Sequence, residues 1–150
     1  MDGVLCNYEA KLYSLYTPNE INHNRNDWWN DSVYNHKIFE NLAYMPGARE
    51  LLRYVTRLGI KIEILTSTGH GPAKEEVKRQ KLYWLKEHNL DHYKANFVES
   101  AKEKGEYAKP DRILIDDRKK CINAFSENGG IGIHYTNAEL TIDKLKEIIK

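Results

Sequence analysis

From residue 46 onward the chain alternates between short β-rich runs and stretches of helical apolar spacing, and this order limits the fold more than any other feature. After Pro46-Gly47, the residues Leu51, Leu52, Val55 and Leu58 recur at helical intervals, and Gly59 closes the segment. Residues 61–66 form a β-rich run. Residues 72–90 predict a helix with Val77, Leu82 and Leu85 on one face. A weaker strand is predicted at 95–98, a strongly apolar one at 112–116 and another at 131–135. Further helices are predicted at 118–128, before Gly129-Gly130, and at 140–149. Strand and helix in alternation imply an α/β architecture, with a parallel sheet covered by helices on both faces. In such sheets ligands bind beyond the carboxyl ends of the strands, so the residues just after each strand carry the functional information.

Three such positions stand out. The strand at 112–116 ends in Asp116-Asp117. The strand at 61–66 runs into Thr66-Ser67-Thr68-Gly69. The first residues read Asp2-Gly3-Val4-Leu5. Carboxylates gathered in one place repel one another and call for a cation, and oxygen ligands near phosphate are a usual setting for Mg²⁺. Hydroxyls and backbone amides near a helix start suit phosphate oxygens. Taken singly, each element has an ordinary reading: a turn, a helix cap, a loop. Their order after successive strands points instead to phosphoryl transfer.

These residues resemble the haloacid-dehalogenase-like phosphohydrolases. That family carries DxDG[VT] at its first strand, a Ser/Thr after the second, a lysine, and an acidic pair after the fourth. The chain is most similar to the 5'(3')-deoxyribonucleotidase branch and its phage and bacterial 5'-nucleotidase relatives, through Leu65-Thr66-Ser67, Lys81-Leu82-Tyr83-Trp84-Leu85 and Leu114-Ile115-Asp116-Asp117-Arg118. The resemblance implies a three-layer Rossmann-like core formed by residues 1–6 and 46–150. It implies that Asp2 is the general acid and binds Mg²⁺ through its backbone carbonyl, that Thr66 and Ser67 bind the phosphoryl group, and that Asp116 and Asp117 hold Mg²⁺ directly or through water. The family lysine is matched by Lys104, with Lys102 the next candidate and Lys109 too near the opposite end of the sheet. The substrates implied are nucleoside monophosphates, deoxyribonucleotides foremost.

Residues 7–45 leave the sheet pattern and are rich in Asn, Tyr and Trp. The resemblance makes this segment a small helical cap over the site. Trp28 and Trp29 are candidates to stack on a nucleobase, a contact worth about 1–3 kcal/mol per base in nucleic-acid binders. The same rings serve equally well as the core of a small cap. His70, in the loop after Ser67, is placed near the phosphate or simply in a loop.

The first aspartate of DxDG should lie two residues before Asp2, which is upstream of Met1. The expectation is therefore that Met1 is an internal methionine of a longer chain, preceded by an apolar strand ending in the nucleophilic Asp. Without that first central strand, the 150 residues are expected either to leave a gap in the sheet or to close it and disturb the site, and to be inactive.

Charge and cysteine content narrow the alternatives. Lys and Arg number 23 against 22 Asp and Glu, which disfavours general binding to nucleic acid or to anionic membrane. No apolar run approaches the roughly 20 residues of a membrane span. Cys6 and Cys121 are far apart, consistent with a reduced, cytoplasmic protein. Two other functions remain open: a phosphatase for another small phosphate or a nucleic-acid 3'-phosphate, and a catalytically dead protein that binds nucleotide.

Overall fold

The computed structural model describes all 150 residues. It is an α/β molecule of eight α-helices and four short parallel strands. The strands are β1 (Glu63–Ser67), β2 (Lys94–Val98), β3 (Ile113–Asp116) and β4 (Ile131–His134). Each predicted strand is present within one or two residues of its expected bounds. Buried residues alternate with partly exposed ones in β1 and β3, as they do in strands covered unequally on their two faces.

The strands do not form one sheet. β1 pairs with β2 and β3 pairs with β4, both in parallel, and β1 and β3 are not hydrogen-bonded to each other. The single parallel sheet expected from the alternation is thus divided into two halves. Side chains still bridge the halves, since Leu65 of β1 packs against the small core around Leu114 of β3.

The helices of this part are α4 (Ala48–Arg57), α5 (Lys74–Glu87), α6 (Ala101–Gly105), α7 (Lys119–Glu127) and α8 (Ala138–Ile148). Helix α5 corrects the face read from the sequence. Its buried residues are Val77, Gln80, Lys81, Trp84 and Leu85, whereas Leu82 is exposed. At 100° per residue, Leu82 lies well off the stripe through Val77 and Lys81. Helix α6 is short. Ser100 caps it through the N–H of Glu103, and it turns Lys104 inward.

Residues 7–45 are helical: α1 (Tyr8–Leu15), α2 (Pro18–His23), α3 (Arg25–Asn30), a π-turn at Asp31–Asn35 and a 3₁₀ turn at Ile38–Glu40. Thr17 and Glu20 form a reciprocal capping box at α2, with Pro18 at its first position. The insertion leaves and re-enters through a narrow neck. The N–H of Asn7 donates to the Ala43 carbonyl and that of Met45 to the Leu5 carbonyl, both within 2.9 Å. Val33, Ile38, Phe39 and Leu42 join Trp84 and Leu85 of α5 in the largest core cluster. The insertion is therefore packed on α5.

Candidate active site

One cavity, about 570 Å³ in volume, is lined by Asp2 and Gly3, by Thr66 and Ser67 at the end of β1, by Lys104, and by Asp116 and Asp117 at the end of β3. This size suits a small ligand. Asp2, Thr66, Asp116 and Asp117 thus share a single opening. Its outer wall comes from Tyr8, Glu9, Leu12 and Tyr13 of α1, with Arg118, Tyr135 and Thr136 opposite.

Two buried lysines organise the acids. Lys104 Nζ donates to Asp116 Oδ2 at 2.6 Å, and the N–H of Arg118 donates to Asp116 Oδ1 at 2.9 Å. Burial by itself would raise the Asp116 carboxyl, but the Lys104 ammonium and these hydrogen bonds hold it below the usual carboxylate value. Lys102 and Lys109 are exposed. Of the three lysines weighed from the sequence, Lys104 is the one in the cavity.

The second lysine was quoted from the sequence only as part of a helix pattern. Lys81 Nζ donates to Asp2 Oδ2 at 2.7 Å, to Thr66 Oγ1 at 2.9 Å and to the Ser67 carbonyl at 2.6 Å. Its side chain is almost wholly buried. The signal was available: Lys81 lies four residues from both Val77 and Leu85, on the apolar stripe of α5. A lysine on such a stripe is seldom buried without a partner.

Asp117 is held differently. Burial raises its carboxyl above the usual value, and the neighbouring Asp116 raises it further. Its carboxylate lies against Gly3, whose φ is +74°, and a Cβ at Gly3 would come within 2.2 Å of it. Gly3 is therefore required both by its backbone conformation and by the close approach.

Asp2, Asp116 and Asp117 supply only oxygen donors, the kind Mg²⁺ prefers. Asp2 Oδ1 is buried with no hydrogen-bond partner. The donors fit the ion in kind. They are not drawn together as one ligand cluster, for no group of three or more His, Cys, Asp or Glu side chains is gathered closely enough to hold a metal. Lys81 engages Asp2, and Lys104 engages Asp116.

Of the remaining sequence candidates, Ser67 lines the cavity, whereas His70, Trp28 and Trp29 do not. Ser67 Oγ accepts from the Gly69 N–H and lies 3.5 Å from the Glu99 carbonyl, which keeps the loop after β1 compact. His70 is exposed and pairs with Glu99. Trp28 and Trp29 do not line the cavity. Trp28 Nε1 donates to the Ile21 carbonyl, and the Trp29 ring packs edge-on against Phe39 and close to Gly69. The aromatic side chains on the cavity wall are Tyr8, Tyr13 and Tyr135. Tyr8 stacks on Phe39 with ring centres 5.4 Å apart.

No protein-family model, curated protein or solved structure matches the chain. No helix is long and apolar enough to cross a membrane.

Proposed function

We propose that the chain carries the active site of a phosphomonoester hydrolase with a Rossmann-like core of the haloacid-dehalogenase type. Within that class we read it as a Mg²⁺-dependent 5'-nucleotidase acting on nucleoside monophosphates, deoxyribonucleotides foremost, in the cytoplasm. The observation that carries the reading is the cavity at the ends of β1 and β3, where Asp2, Thr66, Lys104, Asp116 and Asp117 come together.

Each residue has a task in this reading. The Thr66 hydroxyl and the Lys104 ammonium offer a donor and positive charge to phosphoryl oxygens, while Lys81 holds Asp2 and Thr66 in place. Mg²⁺, held by Asp2, Asp116 and Asp117, would supply further charge neutralisation. In phosphohydrolases of this type the attacking carboxylate lies two positions before the residue that Asp2 matches. Its oxygen forms a bond to phosphorus as the ester P–O bond breaks, and Asp2 delivers a proton to the departing alkoxide. Asp2 then accepts a proton from water. The resulting hydroxide attacks phosphorus, releases phosphate and restores the carboxylate. Residues 7–45 would cover the site and exclude bulk water. For the base, the candidates are Trp28 and Trp29 from the sequence and Tyr8 and Tyr13 from the cavity wall.

The test is a phosphate-release screen of nucleoside monophosphates against sugar phosphates, with Mg²⁺ and with chelator. It compares the chain starting at Met1 with one extended by an apolar pentapeptide ending in Asp. Turnover is expected only from the extended chain with Mg²⁺, greatest with nucleotides, and greatly lowered by Asp116→Asn or Asp117→Asn. Turnover in excess chelator would overturn the Mg²⁺-dependent reading. Brisk Mg²⁺-dependent turnover by the shorter chain would overturn the upstream nucleophile. A second reading, nucleotide binding without turnover, is favoured by the engagement of Asp2 and Asp116 by lysines. It predicts nucleotide affinity with no phosphate release from either chain.

A further inference from the structure

Tyr8 is the first residue of α1, just inside the neck of the insertion, and it lines the cavity. Its ring is held by packing: it stacks on Phe39 with the planes 3° apart and the ring centres 5.4 Å apart. Phe39 is in turn fixed by the core. It is buried, its N–H donates to Gln80 Oε1, the Trp29 ring meets it edge-on, and the Lys81 ammonium lies 4.7 Å from its ring centre. The orientation of the Tyr8 ring is therefore set before any ligand arrives.

The phenol end of Tyr8 is unoccupied by comparison. The Tyr16 hydroxyl, also in the insertion, is taken by Asp31 at 2.6 Å. The Tyr8 hydroxyl makes no hydrogen bond within the protein. It is not sealed either, because Asp2 Oδ1 is the one buried side-chain polar atom without a partner. A tyrosine that buries its ring usually finds a partner for its hydroxyl, so this one is free for a ligand in the cavity. Burial raises the phenol, the Asp2 carboxylate raises it further, and the Arg25 guanidinium lowers it. The hydroxyl thus senses Asp2 from the site and Arg25 from the insertion. A neutral phenol in that place both donates and accepts.

A phosphoester with its phosphoryl group at Thr66 and Lys104 carries its alcohol outward from them. In a nucleoside 5'-monophosphate the sugar comes first and the base lies beyond it. Tyr8 shares the cavity wall nearest Asp2, the acid assigned to the ester oxygen, whereas the exposed Tyr13 lies more than a turn further along α1. We propose that the Tyr8 hydroxyl is a specificity-determining group that hydrogen-bonds the sugar of the substrate, so that the site favours sugar phosphoesters over simple phosphates. This deepens the nucleotidase reading and rests on it.

The experiment measures binding of inorganic phosphate, 2-deoxyribose 5-phosphate and deoxythymidine 5'-monophosphate to the 150-residue chain by isothermal titration calorimetry. One fixed Mg²⁺ concentration is common to every titration. The variant is Tyr8→Phe, which keeps the ring and its stack on Phe39 and removes only the hydroxyl. We expect both sugar phosphates to bind the unsubstituted chain more tightly than inorganic phosphate does. Tyr8→Phe should weaken both by about three- to tenfold, the worth of one neutral hydrogen bond, and leave inorganic phosphate within about twofold. A purely structural role would lower the melting temperature and weaken all three ligands alike, which overturns the proposal. A loss with deoxythymidine 5'-monophosphate but none with 2-deoxyribose 5-phosphate gives the hydroxyl to the base and overturns the sugar contact. If the unsubstituted chain binds none of the three, the phosphoester reading falls and the proposal with it. If it binds them and Tyr8→Phe binds them equally well, the Tyr8 contact alone is excluded.

Discussion

Lys81 is the side chain on which the greatest number of acceptors at the site converge, and it is the residue whose loss should be felt most. Its ammonium satisfies Asp2, Thr66 and the Ser67 carbonyl from within the protein. Replacing it with Met keeps the volume but leaves those acceptors unpaired. We expect Lys81→Met to cost about 3 kcal/mol in urea denaturation, the lower end for breaking a buried pair, because Asp2 keeps part of its side chain in solvent. Asp116 and Asp117 should respond to pH with opposite signs. The Asp116 carboxyl is lowered in the folded state. Its ion pair with Lys104 therefore contributes stability above the ordinary carboxylate pKa, and that contribution is lost as pH falls through the folded value. The Asp117 carboxyl is raised. Between its ordinary and folded values the native state holds more protons than the unfolded state, so ionising Asp117 costs stability as pH rises. Asp117→Asn is thus expected to melt higher than the unsubstituted chain at pH 7, with the advantage shrinking toward pH 3. A scan of melting temperature over that range checks the sign.

Among the elements, α5 couples the insertion to the site. The buried side of this helix carries both Gln80, which holds the insertion, and Lys81, which holds Asp2 and Thr66. Gln80 Nε2 donates to the Val33 carbonyl at 2.7 Å, and its Oε1 accepts from the Phe39 N–H at 3.2 Å. Gln80 is wholly buried. Gln80→Leu would leave both backbone groups unpaired, at about 1–3 kcal/mol for each buried group. The expected outcome is faster amide exchange across residues 31–42, with β3 and β4 unaffected. Uniform acceleration through the molecule would mean that the insertion and the core open as one unit. The π-turn at Asp31–Asn35 lies in this same segment. There the side chain of Asp31 accepts from Tyr16 and Asn35, which ties the turn back to α1.

For the whole molecule, the division of the strands into two pairs sets the mechanical character. β1 and β3 each have a partner on one edge only, so alternate N–H and C=O groups on their other edges lack a strand partner. In amide exchange, β1 and β3 should show an alternation: groups facing β2 or β4 are protected and those on the open edges are not. Equal protection along both strands would contradict the divided sheet.

The elements themselves were legible in local sequence. Apolar alternation, glycine stops and capping residues act over a few positions, and strands β1 to β4 and helices α4, α5, α7 and α8 follow from them. Asp116 and Asp117 were legible for the same reason, since a strand's carboxyl end is a local feature. Tertiary structure decided which distant groups meet. Lys81 reaches Asp2 across 79 positions, the Asp117 carboxylate presses on Gly3, and His134 finds a carbonyl one strand away. Trp28 and Trp29 are partly buried against the largest core cluster and lie off the cavity wall, a placement set by the packing of separate elements. Spacing along a chain determines the face a residue occupies, while the burial of charge and the close approach of backbones arise only when separate elements are brought together.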